Sequence, residues 1–208
     1  YDVLNVDGNH WIVVGDVSGH GVPAGLIMMM VATSIHHTLY HYPNISPDEL
    51  LIRINRTLYE NLQRLNEALY MTITVLSCDD NGKFTFSGLH QDILIYRKKT
   101  KEIDVLDTGG FWLGVVEDLD QYTEVNQFQM EPGDIMLLYS DGITEAWKKG
   151  TVRNYRDPEL HMYGNDRLIE VFQKNCDKNP GQIIKSLIAS MKGYEQGDDI
   201  TLVAVEKL

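Results

Sequence analysis

Residues 9–40 read NHWIVVGDVSGHGVPAGLIMMMVATSIHHTLY, and at their centre Gly15-Asp16-Val17-Ser18-Gly19-His20-Gly21 separates an apolar strand from an apolar helix. An aspartate in a glycine-rich loop at a strand end is a common way to carry a binding or catalytic group on a rigid scaffold. Two later stretches repeat the device: Tyr139-Ser140-Asp141-Gly142 follows the apolar run 135–138, and Gly197-Asp198-Asp199-Ile200-Thr201 precedes the last strand-like run. Carboxylates remote in sequence can meet at one edge of a sheet, and hard oxygen ligands of this kind suit Mg²⁺ or Mn²⁺. The pattern therefore implies a metal-dependent hydrolytic site. Taken singly, each motif has a plainer reading. The glycines of the first loop permit turns with positive φ, and Asp-Gly is an ordinary hairpin dipeptide. Gly19-x-Gly21-x-x-x-Gly25 misses the G-x-G-x-x-G spacing, and no Lys-Ser/Thr completes a P-loop.

The chain has 208 residues, 43% hydrophobic and 23% charged, which fits a globular domain with a sizeable core. Its formal charge of −12 disfavours nucleic acid and anionic lipid as partners. A phosphorylated substrate would need bound cations. Cys78 and Cys176 have no C-x-x-C pairing, so a reducing, cytoplasmic setting is expected. The longest unbroken apolar run, 26–32, is far shorter than the roughly 20 residues of a membrane span. Because Tyr1 already lies in a strand-like run, residues 1–208 are expected to be one domain excised from a longer regulatory protein.

The periodicities predict an α+β architecture, with sheets packed together and helices outside. Strands are expected at 1–6 and 10–14 around an Asp7-Gly8 hairpin, then at 69–78, 84–89, 92–98, 102–106, 122–130, 135–140 and 200–206. The short turns imply antiparallel pairing, and the imperfect alternation of 122–130 suits an edge strand. Residues 24–40 are apolar nearly all round, as for a helix covered on several sides. A second helix opens at Ser46-Pro47-Asp48-Glu49, read as N-cap, first-turn proline and capping-box glutamate, with Leu51, Ile54, Leu58, Leu62 and Leu65 on one stripe. Further helices are expected at 165–175 and 181–192, and 147–163 reads as a loop.

The ordered set GDVSGHGVPAGL, SGLHQDILIYR, TGGFWLGV, PGDIMLLYSDGITEA, YGNDRL and GDDITLVAV resembles the bacterial SpoIIE-type branch of the metal-dependent protein phosphatases, the PPM family. The resemblance spans residues 1 to about 206. It implies a β-sandwich of two antiparallel sheets flanked by helices, two Mn²⁺ or Mg²⁺ ions in a cleft, and hydrolysis of phosphoserine or phosphothreonine. By the same resemblance Asp16 corresponds to the carboxylate bridging both metals and the Val17 carbonyl to a backbone ligand. Asp141 and Asp198 match further ligands, with Asp199 as an additional ligand or orienting group. The substrate it implies is a phosphorylated anti-sigma-factor antagonist or similar signalling protein; an upstream sensor or regulatory domain is a further expected partner, with a homodimer as one option.

The chain departs from the family pattern in two places. The family's acidic G-G-D-x-Y-D segment is matched only at its tail by Tyr1-Asp2-Val3, and alternation turns Asp2 away from the site. Where eukaryotic relatives carry a histidine proposed as general acid, this chain has Ser18; His20, two residues on, is expected at the surface, the alternative being protonation of the leaving serine. His36, His37 and His41 include an i,i+4 pair but lack an H-E-x-x-H pattern, so solvent-facing histidines are expected. Met28, Met29 and Met30 are expected in buried packing, the alternative being an adaptable partner surface. Lys148, Lys149, Arg153 and Arg156 offer positive charge to an acidic partner or belong to a solvated loop. Two rival functions stand beside the phosphatase: a non-catalytic module that keeps the fold, and a phosphatase of small metabolites.

Overall fold

The computed structural model describes residues 1–65, 68–151 and 161–208. The chain divides into two compact units, one formed by Tyr1–His90 with Thr108–Gln129 and the other by Gln91–Asp107 with Met130–Leu208.

The first unit is a five-stranded antiparallel sheet carrying two helices. Its strands are β1 (Asp2–Val6), β2 (Asn9–Val17), β3 (Met71–Cys78), β4 (Lys83–Ser87) and β7 (Asn126–Gln129), in spatial order β1-β2-β3-β4-β7. The Asp7-Gly8 hairpin forms as expected, with both residues at positive φ (51° and 84°) and Val6 opposite Asn9, the geometry of a two-residue hairpin turn. Helices α1 (Val22–His41) and α2 (Pro47–Leu65) pack on one face. There Ile27, Val31, Ile35 and Leu39 of α1 and Leu51, Ile54, Leu58 and Leu62 of α2 meet Trp11, Val13, Ile73 and Val75 in one buried cluster. Ile12, Val14, Thr74 and Leu76, which alternate with those strand residues, are buried too.

The second unit is a four-stranded antiparallel sheet in the order β11 (Leu202–Glu206), β8 (Ile135–Tyr139), β5 (Ile93–Arg97) and β6 (Glu102–Leu106). Helices α4 (Asn165–Gln173) and α5 (Pro180–Ser190) bury Leu168, Phe172, Ile183 and Leu187 completely against Leu94, Ile135, Leu137 and Tyr139.

Several expectations are corrected. Residues 122–125 do not join the sheet, and β7 begins at Asn126, although it is an edge strand as predicted. A short helix α3 (Asp141–Thr144) follows β8, and a small two-stranded sheet, β9 (Trp147–Lys148) with β10 (Tyr194–Glu195), was not expected. Part of the segment read as a loop, including Arg153 and Arg156, lies outside the described residues. Glu49 turns along α2 to Arg53, at 2.7 Å, where a capping-box contact was expected.

Helix α1 is covered on one side, not on several. Its buried stripe is Ala24, Ile27, Val31, Ile35, Thr38 and Leu39, while Met28 and Met29 remain 47% and 57% exposed. Among the described residues it is the one helix long and apolar enough to cross a membrane, yet its stripe packs on the sheet like that of a core helix.

Asn55 ties α2 to the segment that returns toward β7. Fully buried, it donates from Nδ2 to the carbonyls of Val116 (2.9 Å) and Glu117 (3.1 Å) and accepts the Gly114 amide at 2.8 Å. Truncation would strand these backbone groups. Asn55→Ala is therefore expected to lower unfolding stability by about 2–3 kcal/mol in urea titrations, since buried groups left unpaired pay their full desolvation cost.

Candidate metal centre

In the second unit, Ser140 has extended backbone at the end of β8 (φ −99°, ψ 164°) and Asp141 opens α3. Ser140 is 3% exposed and latches the neighbouring chain: Oγ donates to the Asp199 carbonyl (3.1 Å) and accepts the Thr201 amide (2.9 Å). The Ser140 amide donates to the Thr201 carbonyl at 3.1 Å. Gly142 completes the device. A Cβ there would lie 2.1 Å from the Asp199 carbonyl oxygen, so the Asp198-Asp199 loop can approach only because position 142 lacks a side chain. The Ser-Asp-Gly triplet is thus a latch, a ligand and a gap, and its Asp-Gly pair is not a hairpin turn.

The consequence is a cluster of carboxylates. Carboxylate oxygens of Asp141 and Asp198 lie within 4.8 Å of each other, and with Glu145 they line a pocket of about 190 Å³ walled by Trp147 and Met162. Asp141 Oδ1 is buried and has no hydrogen-bond partner among the described residues. Burial, then the Asp198 charge, pushes the Asp141 carboxyl above the usual range. Glu145 is raised likewise by burial and by the charges of Asp141 and Asp198. An orphaned oxygen among like charges, all donors being hard oxygens, is the set a small divalent cation satisfies. Asp198 Oδ1 accepts the Asp199 amide at 2.8 Å. Asp199 is exposed, and its carbonyl is the acceptor of the Ser140 latch.

Asp16 belongs to the first unit. It is half-buried on β2 opposite Thr72, on the strand face of Ile12 and Val14, and its carbonyl accepts the Thr72 hydroxyl at 3.3 Å. Val17 ends β2, and the turn that follows has Gly19 and Gly21 at φ 85° and 82°. Ser18 closes the strand end by donating its amide to the Tyr70 carbonyl (2.8 Å) and accepting the Tyr70 amide on Oγ (2.9 Å). That hydroxyl has a structural role here. His20 is exposed, as expected. Asp2 pairs with Val13, hence on the face opposite Asp16, and its carboxylate meets His36 of α1 at 2.6 Å. Alternation thus turned Asp2 away as predicted, while His36 proves to be paired and not merely solvated.

Reading the sequence missed Glu145, the latch of Ser140 and the close approach at Gly142. It also passed over His90, whose Nδ1 meets the Thr72 hydroxyl at 2.9 Å. Glu145 stands one turn of α3 beyond Asp141, a spacing that could have signalled it. Cys78 and Cys176 are not joined in a disulfide. Burial raises the Cys176 thiol, the opposite of what activates a cysteine nucleophile.

The model of the SpoIIE family, stage II sporulation protein E, matches residues 6–207. The phosphoserine phosphatase RsbU of Bacillus subtilis is 26% identical over 201 residues, covering 94% of this chain and 55% of RsbU. The chain therefore spans about half the length of that curated relative. The PP2C domain of SiaA from Pseudomonas aeruginosa superposes with a TM-score of 0.80 at 18% identity, over 99% of this chain and 78% of that structure. The RsbU and RsbW domains of Rv1364c from Mycobacterium tuberculosis give 0.75 at 20% identity, over 99% and 55% respectively. Antiparallel sheets with flanking helices, expected from the sequence, are thus those of the PP2C phosphatase fold. With nearly every residue matched by the family model and the Asp141–Asp198 pair formed within the second unit, this chain belongs to the SpoIIE family.

Proposed function

We propose that this domain, residues 1–208, is a metal-dependent protein serine/threonine phosphatase. The observation that carries the reading is the buried, unpartnered Asp141 Oδ1 beside Asp198, in a chain matched by the SpoIIE family model and related to a phosphoserine phosphatase. In this reading Asp16 of the first unit and Asp141 and Asp198 of the second hold two Mn²⁺ or Mg²⁺ ions, assisted by the Val17 carbonyl and by Asp199. Such an ion pair supplies Lewis acidity, acidifying water and neutralising charge on the phosphoryl group.

The protein's own contribution is positional and electrostatic. Ser140 fixes the Asp198-Asp199 loop against α3, so the Asp141 and Asp198 carboxylates are held together before any ligand arrives. Uncompensated, these carboxylates and Glu145 repel a phosphomonoester of the same sign. Activity without divalent cation is therefore not expected. A phosphorylated anti-sigma-factor antagonist is the proposed substrate, acting with an upstream sensor domain, a homodimeric partner and a cytoplasmic setting. Relationship to RsbU, and likeness to a structure holding both RsbU and RsbW domains, support that assignment.

In the full-length protein, Mn²⁺-dependent phosphate release from phosphoserine peptides is expected to vanish with EDTA and to fall at least about 100-fold in Asp16→Asn and Asp141→Asn, the scale seen when a group stabilising transition-state charge is lost. Wild-type activity unaffected by EDTA would refute the reading. Gly142→Ala must push the Asp199 carbonyl away. Its expected signature is Mn²⁺ binding weakened about tenfold or more in calorimetry, with far-ultraviolet circular dichroism unchanged.

A further inference from the structure

We propose that Tyr70 and Trp112 form a substrate subsite that receives an apolar side chain two or three residues from the phosphoserine. The inference rests on the phosphatase reading and deepens it from substrate class to sequence preference. Three segments of the first unit lie side by side at the Asp16 strand end. Asp16 and Val17 pair with Thr72 and Met71, and Met71 exchanges both backbone hydrogen bonds with Leu113, at 3.1 and 2.9 Å. Alternation then sorts the side chains. Met71 and Leu113 enter the core beneath α1 and α2, while Asp16 and Thr72, opposite each other in the register, take the other face.

At this strand end Tyr70 and Trp112 stack with ring centroids 5.0 Å apart and planes 28° apart. Trp112 is nevertheless 40% exposed. The pair borders a groove of about 500 Å³ shared with Leu62 and Gln63 of α2, Leu69 and Val115, and lined by no charged side chain among the described residues. The groove abuts the Asp16 loop directly. A Cβ on Gly19 would touch Leu69 at 3.4 Å, and Ser18 exchanges two hydrogen bonds with Tyr70.

Chemistry and distance choose the occupant. In a chain of net charge −12, a groove whose described lining is uncharged disfavours a phosphorylated segment less than the rest of the surface does, and the partly exposed Trp112 ring, stacked on Tyr70, rewards an apolar side chain. Trp112 is two strands from Asp16, roughly 10 Å at ordinary strand spacing. An extended peptide covers that in about three residues. The aromatic pair therefore reads the neighbourhood of the phosphoserine and leaves the phosphoryl group to the acidic site.

The test uses the full-length protein with Mn²⁺ and two phosphoserine peptides, one flanked only by glycine, the other with leucine at the second and third positions on both sides. We expect wild type to favour the leucine peptide about tenfold in kcat/KM, mainly through KM. In Trp112→Ala and Tyr70→Ala the ratio is expected to fall to about one, and Trp112→Phe should keep most of it. A ratio of one in wild type, or a wild-type ratio in both alanine variants, overturns the subsite while hydrolysis of the glycine peptide upholds the phosphatase. Wild type that releases no phosphate from either peptide overturns both.

Discussion

The repulsion between Asp141 and Asp198 is the constraint around which the second unit is arranged. Two carboxylates with oxygens within 4.8 Å, one oxygen of Asp141 buried and without a hydrogen-bond partner among the described residues, oppose folding through the repulsion of like charges at close range. The surrounding residues hold the strained pair in place. Ser140 makes three hydrogen bonds to the 199–201 segment, and Gly142 gives up a side chain so that the same segment can come close. Beneath them Tyr139, Ile143, Ala146 and Tyr163 are nearly fully buried against α4 and α5. Stability is spent on an arrangement that only a cation makes favourable, which is how a binding site differs from a turn.

Much of this was legible in the sequence because the local rules agreed. The Asp7-Gly8 hairpin, the apolar stripe of α2 and the antiparallel pairing all follow from short-range patterns that tertiary context did not overturn. Asp141 and Asp198 could be picked out because each stands beside glycine at the end of an apolar strand. Their partners could not. Gly142 looked like half of a hairpin dipeptide because sequence shows that a side chain is absent, not which carbonyl fills the space. Ser140 looked like a turn residue for the same reason: its two side-chain hydrogen bonds go to residues roughly 60 positions away. Glu145 was obscured by the expectation of a turn where the chain instead makes α3.

The misreading of α1 has a different origin. Mean apolarity says how much surface a helix could bury, whereas coverage depends on how many neighbours the topology supplies. In the first unit α1 packs on the sheet beside α2, and one stripe is buried while Leu26, Met28 and Met29 face outward. Strand residues 122–125 fail for a related reason. Their alternation is compatible with a strand, but β4 offers hydrogen-bonding partners only as far as Asn126 opposite Phe86.

Charge finally constrains how a phosphorylated partner can be held. With twelve more acidic than basic side chains, the protein's long-range field opposes a phosphate, but at physiological salt that field fades over about 8 Å. Recognition must then be won at short range, where two kinds of contact remain attractive: cations among the carboxylates, and apolar surface indifferent to salt. The Tyr70–Trp112 groove is the apolar surface that adjoins the Asp16 loop, through Leu69 beside Gly19 and Tyr70 beside Ser18. The methionine face of α1 lies on the helix side of the same sheet, opposite the face that carries Asp16. An apolar contact there could anchor a partner protein, yet it could not place a serine phosphate at the acidic end. Substrate selection is therefore assigned to the aromatic pair.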